Sequence, residues 1–252
     1  LSGPWFGAGL LLTLALMVVN IFLRPDPQVI GRQLAALGPA QPLYDEALHS
    51  ERGRTIQEVL SSPGARLAIG AMVLSRLAMV SVMTVTAVHM HVHQHEIGSI
   101  SWVIMAHTLG MFGLSFVTGW LADRLGRATM IAAGGLILAL ACLIAPLSTG
   151  VVWLASALFL LGLGWNFCFV AGSALLDDIL RPSEKGRVQG ITETMISFAS
   201  GAGSLGSGLI FAALGFAATS WGNALIAIVP VVLVALSRGA DRRTPARGAA
   251  SI

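Results

Sequence analysis

Gly119-Trp-Leu-Ala-Asp-Arg-Leu-Gly-Arg127 is a short charged turn between two apolar runs, about Ser99 to Thr118 and Ala128 to Leu147, each of membrane-crossing length. Asp123, Arg124 and Arg127 place three charges in this turn. Gly119 and Gly126 let the flanking helices approach closely. The charges can pair with one another, with lipid phosphates or with another segment of the chain.

Outward from the turn, the sequence is apolar almost throughout. It is 55% hydrophobic and 11% charged, with a mean hydropathy of +0.80. Soluble domains carry roughly 25% charged residues. Seven stretches are long enough to cross a bilayer: 3–23, 66–90, 98–122, 128–147, 150–176, 188–214 and 217–237. The fold class is therefore all-α, a polytopic helix bundle whose surroundings are the lipid bilayer.

The basic residues orient these spans. Arg24, Arg32, Arg52, Arg54 and Arg66 follow or border the gap after the first span, and Arg124 and Arg127 follow the third. Arg181, Lys185 and Arg187 follow the fifth; Arg238, Arg242, Arg243 and Arg247 follow the last. The gaps at 91–97, 148–149 and 215–216 hold no Lys or Arg. By the positive-inside rule the basic gaps are cytoplasmic, the plasma membrane is crossed many times, and the C-terminus is cytoplasmic. The net charge of +3 then reports membrane topology, and no nucleic-acid partner is expected. Leu1 is expected outside; 1–23 has no signal-peptide pattern, and the chain reads as truncated at its N-terminus. Cys142 and Cys168 lie in different spans and read as small packing residues, with no zinc-type spacing.

Residues 24–63 form one long gap, broken by Pro25, Pro27, Pro39 and Pro42. Within it Ile56, Val59 and Leu60 recur at helical spacing beside Arg54, Gln57 and Glu58, which predicts a short amphipathic helix on the inner membrane surface. Pro63-Gly64 punctuates the entry to the next span.

Gly119-x-Leu121-Ala122-Asp123-Arg124-x-Gly126-Arg127 resembles the cytoplasmic loop motif of the major facilitator superfamily, which joins the second and third helices of each six-helix half. Ala128 departs from it, standing where a second basic residue is common. Arg181-Pro-Ser-Glu-Lys-Gly-Arg-Val-Gln-Gly190 resembles the Pro-x-x-x-x-Gly-Arg loop two helices later in the same half. The resemblance implies an efflux-type permease seen from helix six to helix twelve. Residues 1–23 become the last helix of an N-terminal half whose remainder is missing, 24–63 the cytoplasmic central loop, 64–238 the C-terminal six-helix half, and 239–252 a disordered cytoplasmic tail. It also implies a conformational latch built on Gly119, Asp123, Arg124, Gly126, Arg127, Glu184 and Arg187. Asp123 would face an Arg or a helix N-terminus, and Arg127 a loop carboxylate such as Glu184.

Ionisable groups inside spans are costly and so become functional candidates. Arg76 lies about ten residues, roughly 15 Å, into its span, suited to an anionic substrate group or a carboxylate. Glu193 is a candidate proton carrier or ion-pair partner of Arg187 or Arg76. His107 is a candidate proton relay, with hydrogen-bonded packing as the alternative. Asn166, after Gly162, Gly164 and Trp165, can contact substrate or a neighbouring helix. Asp177 and Asp178 are expected to pair with nearby basic residues. In the external run His89-Met-His-Val-His-Gln-His-Glu96, the residues His89, His91, His93 and His95 could ligate a borderline metal, or cap the span without one. Ser200, Ser204, Gly208 and Ala212 recur every four residues and predict a flat face for close helix packing.

These features together predict secondary transport of a small-molecule substrate by alternating access, proton-coupled and directed outward as in an antiporter. No cofactor and no enzymatic activity are expected. A seven-helix receptor or sensor competes, but residues 217–237 contain no Lys for a retinal linkage; a metal-ion exporter using the His run is a further alternative.

Overall fold

The computed structural model describes residues 3–22 and 54–241. The expectations for 24–53 and for the tail beyond 241 lie outside the described residues. The chain divides into two compact units, Leu1–Arg52 and Gly53–Ile252. In the first, α1 (Gly3–Phe22) is a 20-residue apolar helix. Its polar groups are satisfied within the helix, Thr13 Oγ1 donating to the Gly9 carbonyl at 2.8 Å and Asn20 Nδ2 to that of Leu16 at 2.9 Å. A helix among lipid tails requires this, because no water is there to do it.

The second unit opens with α2 (Ile56–Ser61), the amphipathic helix expected from its spacing. Thr55 and Glu58 form a reciprocal capping box. Val59 is 1% exposed and packs with Ala65, Ile69, Val188 and Ile196, so the helix docks on the bundle through its apolar face. Pro63 then starts α3 (Pro63–Val92), where its missing N–H costs nothing.

The chain next zigzags. After α3 come α4 (Ile97–Phe112) and α5 (Ser115–Leu125), then α6 (Arg127–Ile144) with a 3-10 turn at Ala145–Leu147. These are followed by α7 (Val151–Ile179) and α8 (Pro182–Asp241). Gly126 (φ 90°) separates α5 from α6 at the charged turn, and Gly215 (φ 82°) breaks α8; both backbones lie where side chains with a Cβ are strained. At Gly215 the chain reverses. Gly203 lies against Leu77 and Ser81, Phe216 stacks on His89, and Leu233 returns to Gly70. The two limbs of α8, 182–214 and 216–241, therefore run antiparallel and form the last two passes.

Every regular element among the described residues is helical, and five stretches there are long and apolar enough to cross a membrane, α4 and α5 counting as one and the last being the broken α8. Two details depart from the sequence reading. The run 98–122 is two helices, broken at Gly113-Leu114. The row Ser200, Ser204, Gly208, Ala212 is not the packing face: Gly208 has nothing within 4 Å of a Cβ position, whereas Gly203 and the buried Ser207 turn inward. Equal spacing defines a face but does not choose its neighbour.

α7 is the helix around which the others assemble. Leu154, Leu158, Leu161 and Trp165 join Met79, Val82 and Leu138 in one buried cluster. Cys142 and Cys168 are free thiols buried in helix contacts, the packing role expected of them. Large apolar side chains such as Trp102, Phe116, Leu136, Leu205 and Leu225 point outward, as a lipid solvent permits. Where α4 meets α7, Gly110 sits against the Phe159 carbonyl and Gly162 against the His107 carbonyl, leaving no room for a Cβ. Such backbone approach is a main source of helix association in lipid. Gly162→Val is expected to cost about 3 kcal/mol through overpacking, read as a lower midpoint of thermal unfolding in detergent. Gly206→Val, placed where nothing lies within 4 Å, is expected to leave that midpoint unchanged.

Candidate functional site

Arg76 lies thirteen residues from the start of α3, about 20 Å along its axis, near the middle of the bundle. Its Nε donates to Ser200 Oγ on α8 at 3.0 Å, and its guanidinium carbon stands 5.3 Å from the centroid of the Trp165 ring on α7. Phe169 stacks on Trp165 at 5.0 Å, and Phe112, at the end of α4, meets it edge-on at 6.1 Å. Four helices thus contribute to one cation–aromatic cluster. No carboxylate among the described residues lies within ion-pair distance of Arg76; Glu193, two turns before Ser200 on α8, is exposed. Its direct contacts are a ring quadrupole and a hydroxyl, and Glu193 acts on it only at longer range.

His107 is 1% exposed and joins α4 to α7. Its Nδ1 lies 2.9 Å from the Leu158 carbonyl, an acceptor, so Nδ1 carries the proton and Nε2 is left as a lone pair. Among the described residues Nε2 has no partner, nor has the indole N–H of Trp165.

Asn166 repairs the break between α4 and α5. Its Nδ2 donates to the Met111 carbonyl at 2.7 Å and to Ser115 Oγ at 2.9 Å, while its Oδ1 accepts from Thr118 Oγ1 at 2.6 Å. The amide thus occupies acceptor and donor groups on both sides of Gly113-Leu114. Sequence reasoning placed Asn166 beside substrate or a helix; the geometry gives it to the helix. It missed Ser115 and Thr118, whose signal was two hydroxyls one turn apart in an otherwise apolar run.

At the charged end, Arg127 bridges Asp123, one turn back, and Asp178 on α7 at 3.4 Å. Lys185 Nζ reaches Asp177 at 2.6 Å. Arg124 leaves the ion pairs and lies 5.2 Å over the Trp120 ring. Gly119 and Gly126 contribute backbone only. Glu184 is not the partner of Arg127. It is fully buried and accepts from Arg54 N at 2.7 Å, Arg54 Nε at 3.0 Å, Arg54 Nη2 at 2.8 Å and Arg181 N at 3.2 Å. Every group on this carboxylate is a donor, which fits its ionised form, and it sits in the first turn of α8, where the helix dipole favours negative charge. Arg54 Nη2 also donates to the Ile179 carbonyl at 3.0 Å, and Arg187 donates to the Arg54 carbonyl. The segment leading into α2 is thereby tied to the α7–α8 turn. Arg54 gave no motif; only its separation by charge from the apolar spans marked it.

At the opposite end the His89 and His93 rings lie 4.2 Å apart, one turn from each other, but His91 and His95 do not join them, because α3 stops at Val92 and Gln94 turns the chain in a left-handed conformation (φ 61°). His89 stacks on Phe216 at 4.3 Å, His93 Nδ1 lies 2.9 Å from the His89 carbonyl, and His91 is exposed. Among the described residues no three His, Cys, Asp or Glu side chains, His95 included, group as a metal site would need. Trp153 and Trp221 donate to the carbonyls of Ile144 and Leu143 at this end, as interfacial tryptophans do.

A bundle of apolar helices with a charged turn at one end and a polar cluster at mid-depth is that of a multi-pass membrane protein. Residues 67–251 match the Major Facilitator Superfamily. The chain is 35% identical over 246 residues to the MFS-type transporter YdeG of Bacillus subtilis, covering 95% of this chain and 55% of that protein. It is 32% identical over 237 residues to YddS of the same organism, covering 92% and 53%. To the riboflavin transporter RfnT of Brucella anthropi it is 33% identical over 192 residues, covering 75% and 47%. The chain belongs to the major facilitator superfamily, and it spans about half the length of the curated relatives it matches. It belongs to a family of transporters, not of enzymes.

Two substitutions probe the network. Asn166→Leu is expected to destabilise the bundle by about 2 kcal/mol, because it strands the freed carbonyl and hydroxyls at the break. Glu184→Gln is expected to cost a similar amount, about 2 kcal/mol, by removing the charge that Arg54 faces. Chemical unfolding in detergent checks both, with Asp123→Asn, an exposed position, as the neutral comparison.

Proposed function

We propose that this chain forms one half of a proton-coupled secondary transporter, which moves a small organic solute outward across the plasma membrane by alternating access. The observation that carries the reading is Arg76: a half-buried cation near mid-membrane depth, held by Ser200 and Trp165, with no direct ion pair among the described residues and Glu193 acting on it only at longer range. Burying such a charge costs several kcal/mol, and a wall that meets an anionic group recovers that cost.

The charged end lies in the cytoplasm by the distribution of Lys and Arg, and with it the C-terminus. There the Asp123–Arg127–Asp178 bridge acts as a latch. Both of its carboxylates are exposed, so it opens at small energetic cost. Glu193, exposed on the same face of α8 as Ser200, is the carboxylate through which protons couple to solute. The half of the relatives not spanned by this chain supplies the facing wall. The relative named as a riboflavin transporter supports an organic, ring-bearing solute.

The test is accessibility in the full-length protein. Val80, half-buried, lies one turn beyond Arg76 on the same face, and this chain's two thiols are buried; Val80→Cys is made in a full-length protein whose other cysteines are replaced. In oriented membrane vesicles this cysteine is expected to react with a membrane-impermeant methanethiosulfonate from either side. Adding Asp123→Asn is expected to shift reaction toward the cytoplasmic side by threefold or more. Reaction from neither side would remove Arg76 from the transport path; an unchanged ratio in the Asp123→Asn protein would remove the latch.

A further inference from the structure

We infer that the Arg76 wall receives aromatic carboxylates, organic anions with a flat conjugated body. The inference rests on the reading that this wall lines the transport path, and it comes from how the guanidinium is held. Ser200 Oγ donates to the Ile196 carbonyl at 3.0 Å and accepts from Arg76 Nε at 3.0 Å, which fixes one edge of the group. The Trp165 ring, 5.3 Å from the guanidinium carbon, fixes its position over the indole. Neither contact uses the two terminal nitrogens, and no other residue among those described hydrogen-bonds to them. What is left is a planar pair of N–H groups with preset geometry, the arrangement that matches the two oxygens of a carboxylate. No carboxylate among the described residues pairs directly with Arg76, and Glu193 acts on it only at longer range, so the guanidinium faces the wall as a cation that repels a cationic solute and draws in an anionic one.

The surroundings select the body of the solute. Trp165 is 5% exposed, but Phe112 meets it edge-on and is 60% exposed, and the half-buried Phe169 stacks on it. The aromatic surface therefore runs from the buried indole out to the open wall. Rings prefer stacked or edge-to-face partners over aliphatic ones, so a flat ring gains here what an aliphatic acid does not. Alongside, Ser200 and Ser204 are half-buried and Gly208 is exposed, with nothing within 4 Å of a Cβ position at Gly208.

The experiment uses the full-length Val80→Cys protein in oriented vesicles and measures how four probes slow its reaction with the methanethiosulfonate. The probes are 2-naphthoate, cyclohexanecarboxylate, 2-naphthol and 2-naphthylmethylammonium. 2-Naphthoate is expected to protect at concentrations at least tenfold below those needed for cyclohexanecarboxylate or 2-naphthol, and the ammonium probe is expected not to protect. Arg76→Lys keeps the charge but loses the fork, and is expected to weaken 2-naphthoate protection tenfold or more. Phe112→Leu, at an exposed position, is expected to erase the advantage of 2-naphthoate over cyclohexanecarboxylate while leaving the latter unchanged. Equal protection by 2-naphthol and 2-naphthoate, or protection by the ammonium probe, would overturn the inference. So would a Val80→Cys protein that reacts from both sides yet is not protected by 2-naphthoate; that outcome leaves the transport path intact. Reaction from neither side defeats the path itself, and the inference with it.

Discussion

Lipid tails supply no hydrogen bonds, and this single constraint organises the molecule. Each backbone group within the membrane must be paired inside the protein, so the chain is helical, and any interruption of a helix must be repaired by a side chain. The break at Gly113-Leu114 is the main case. Asn166, from a different helix, holds a carbonyl and two hydroxyls around it. A bent pass between α4 and α5 thereby becomes a defined shape, and Phe112, at the end of α4, is brought to Trp165. The same constraint explains why His107 bonds to the Leu158 carbonyl and Ser220 to that of Cys142.

Charge is handled differently at the two depths. At the charged end, carboxylates and bases pair under partial exposure, and these pairs are individually weak and reversible. Glu184 stands apart because it is buried and completely surrounded by donors, so it works as an anchor for the segment entering α2 rather than as a switch. Near mid-depth Arg76 has no direct carboxylate pair among the described residues; an aromatic ring and a hydroxyl hold it, with Glu193 acting only at longer range. A buried, fully donated carboxylate, a partly exposed bridge and a cation held by rings and a hydroxyl are three settings of charge in one helical unit, separated by burial and by the number of donors.

Much of the fold is legible from periodicity and composition, because hydropathy over about 20 residues reports bilayer crossing directly. The amphipathic α2, the Pro63 start of α3 and the charged turn with Gly126 were all readable, since each depends on local spacing or local backbone conformation. The break within 98–122 was not: nothing in an apolar run distinguishes a bent helix from a straight one until Asn166 arrives from elsewhere. The Ser200–Ala212 row shows the same limit. Its period was right, yet the side of α8 that packs is set by α3, through Gly203 and Ser81.

The candidate site divides along the same line. Arg76 announced itself, because a charge among apolar residues is conspicuous at any register. Trp165, Phe169 and Phe112 did not, since aromatic residues are ordinary in membrane spans and only convergence of α4 and α7 makes them a cluster. The partner of Glu184 was missed for the same reason, Arg54 lying 130 residues away in the chain. From the sequence alone came the class of protein, the spans, the side on which its charges gather and its family resemblance. These follow from solvent preference and local geometry, which are properties of short stretches. Which polar group answers which was decided only by the tertiary structure, because pairing in lipid is set by distance between helices, and that distance is set by glycines and packing rather than by any single segment.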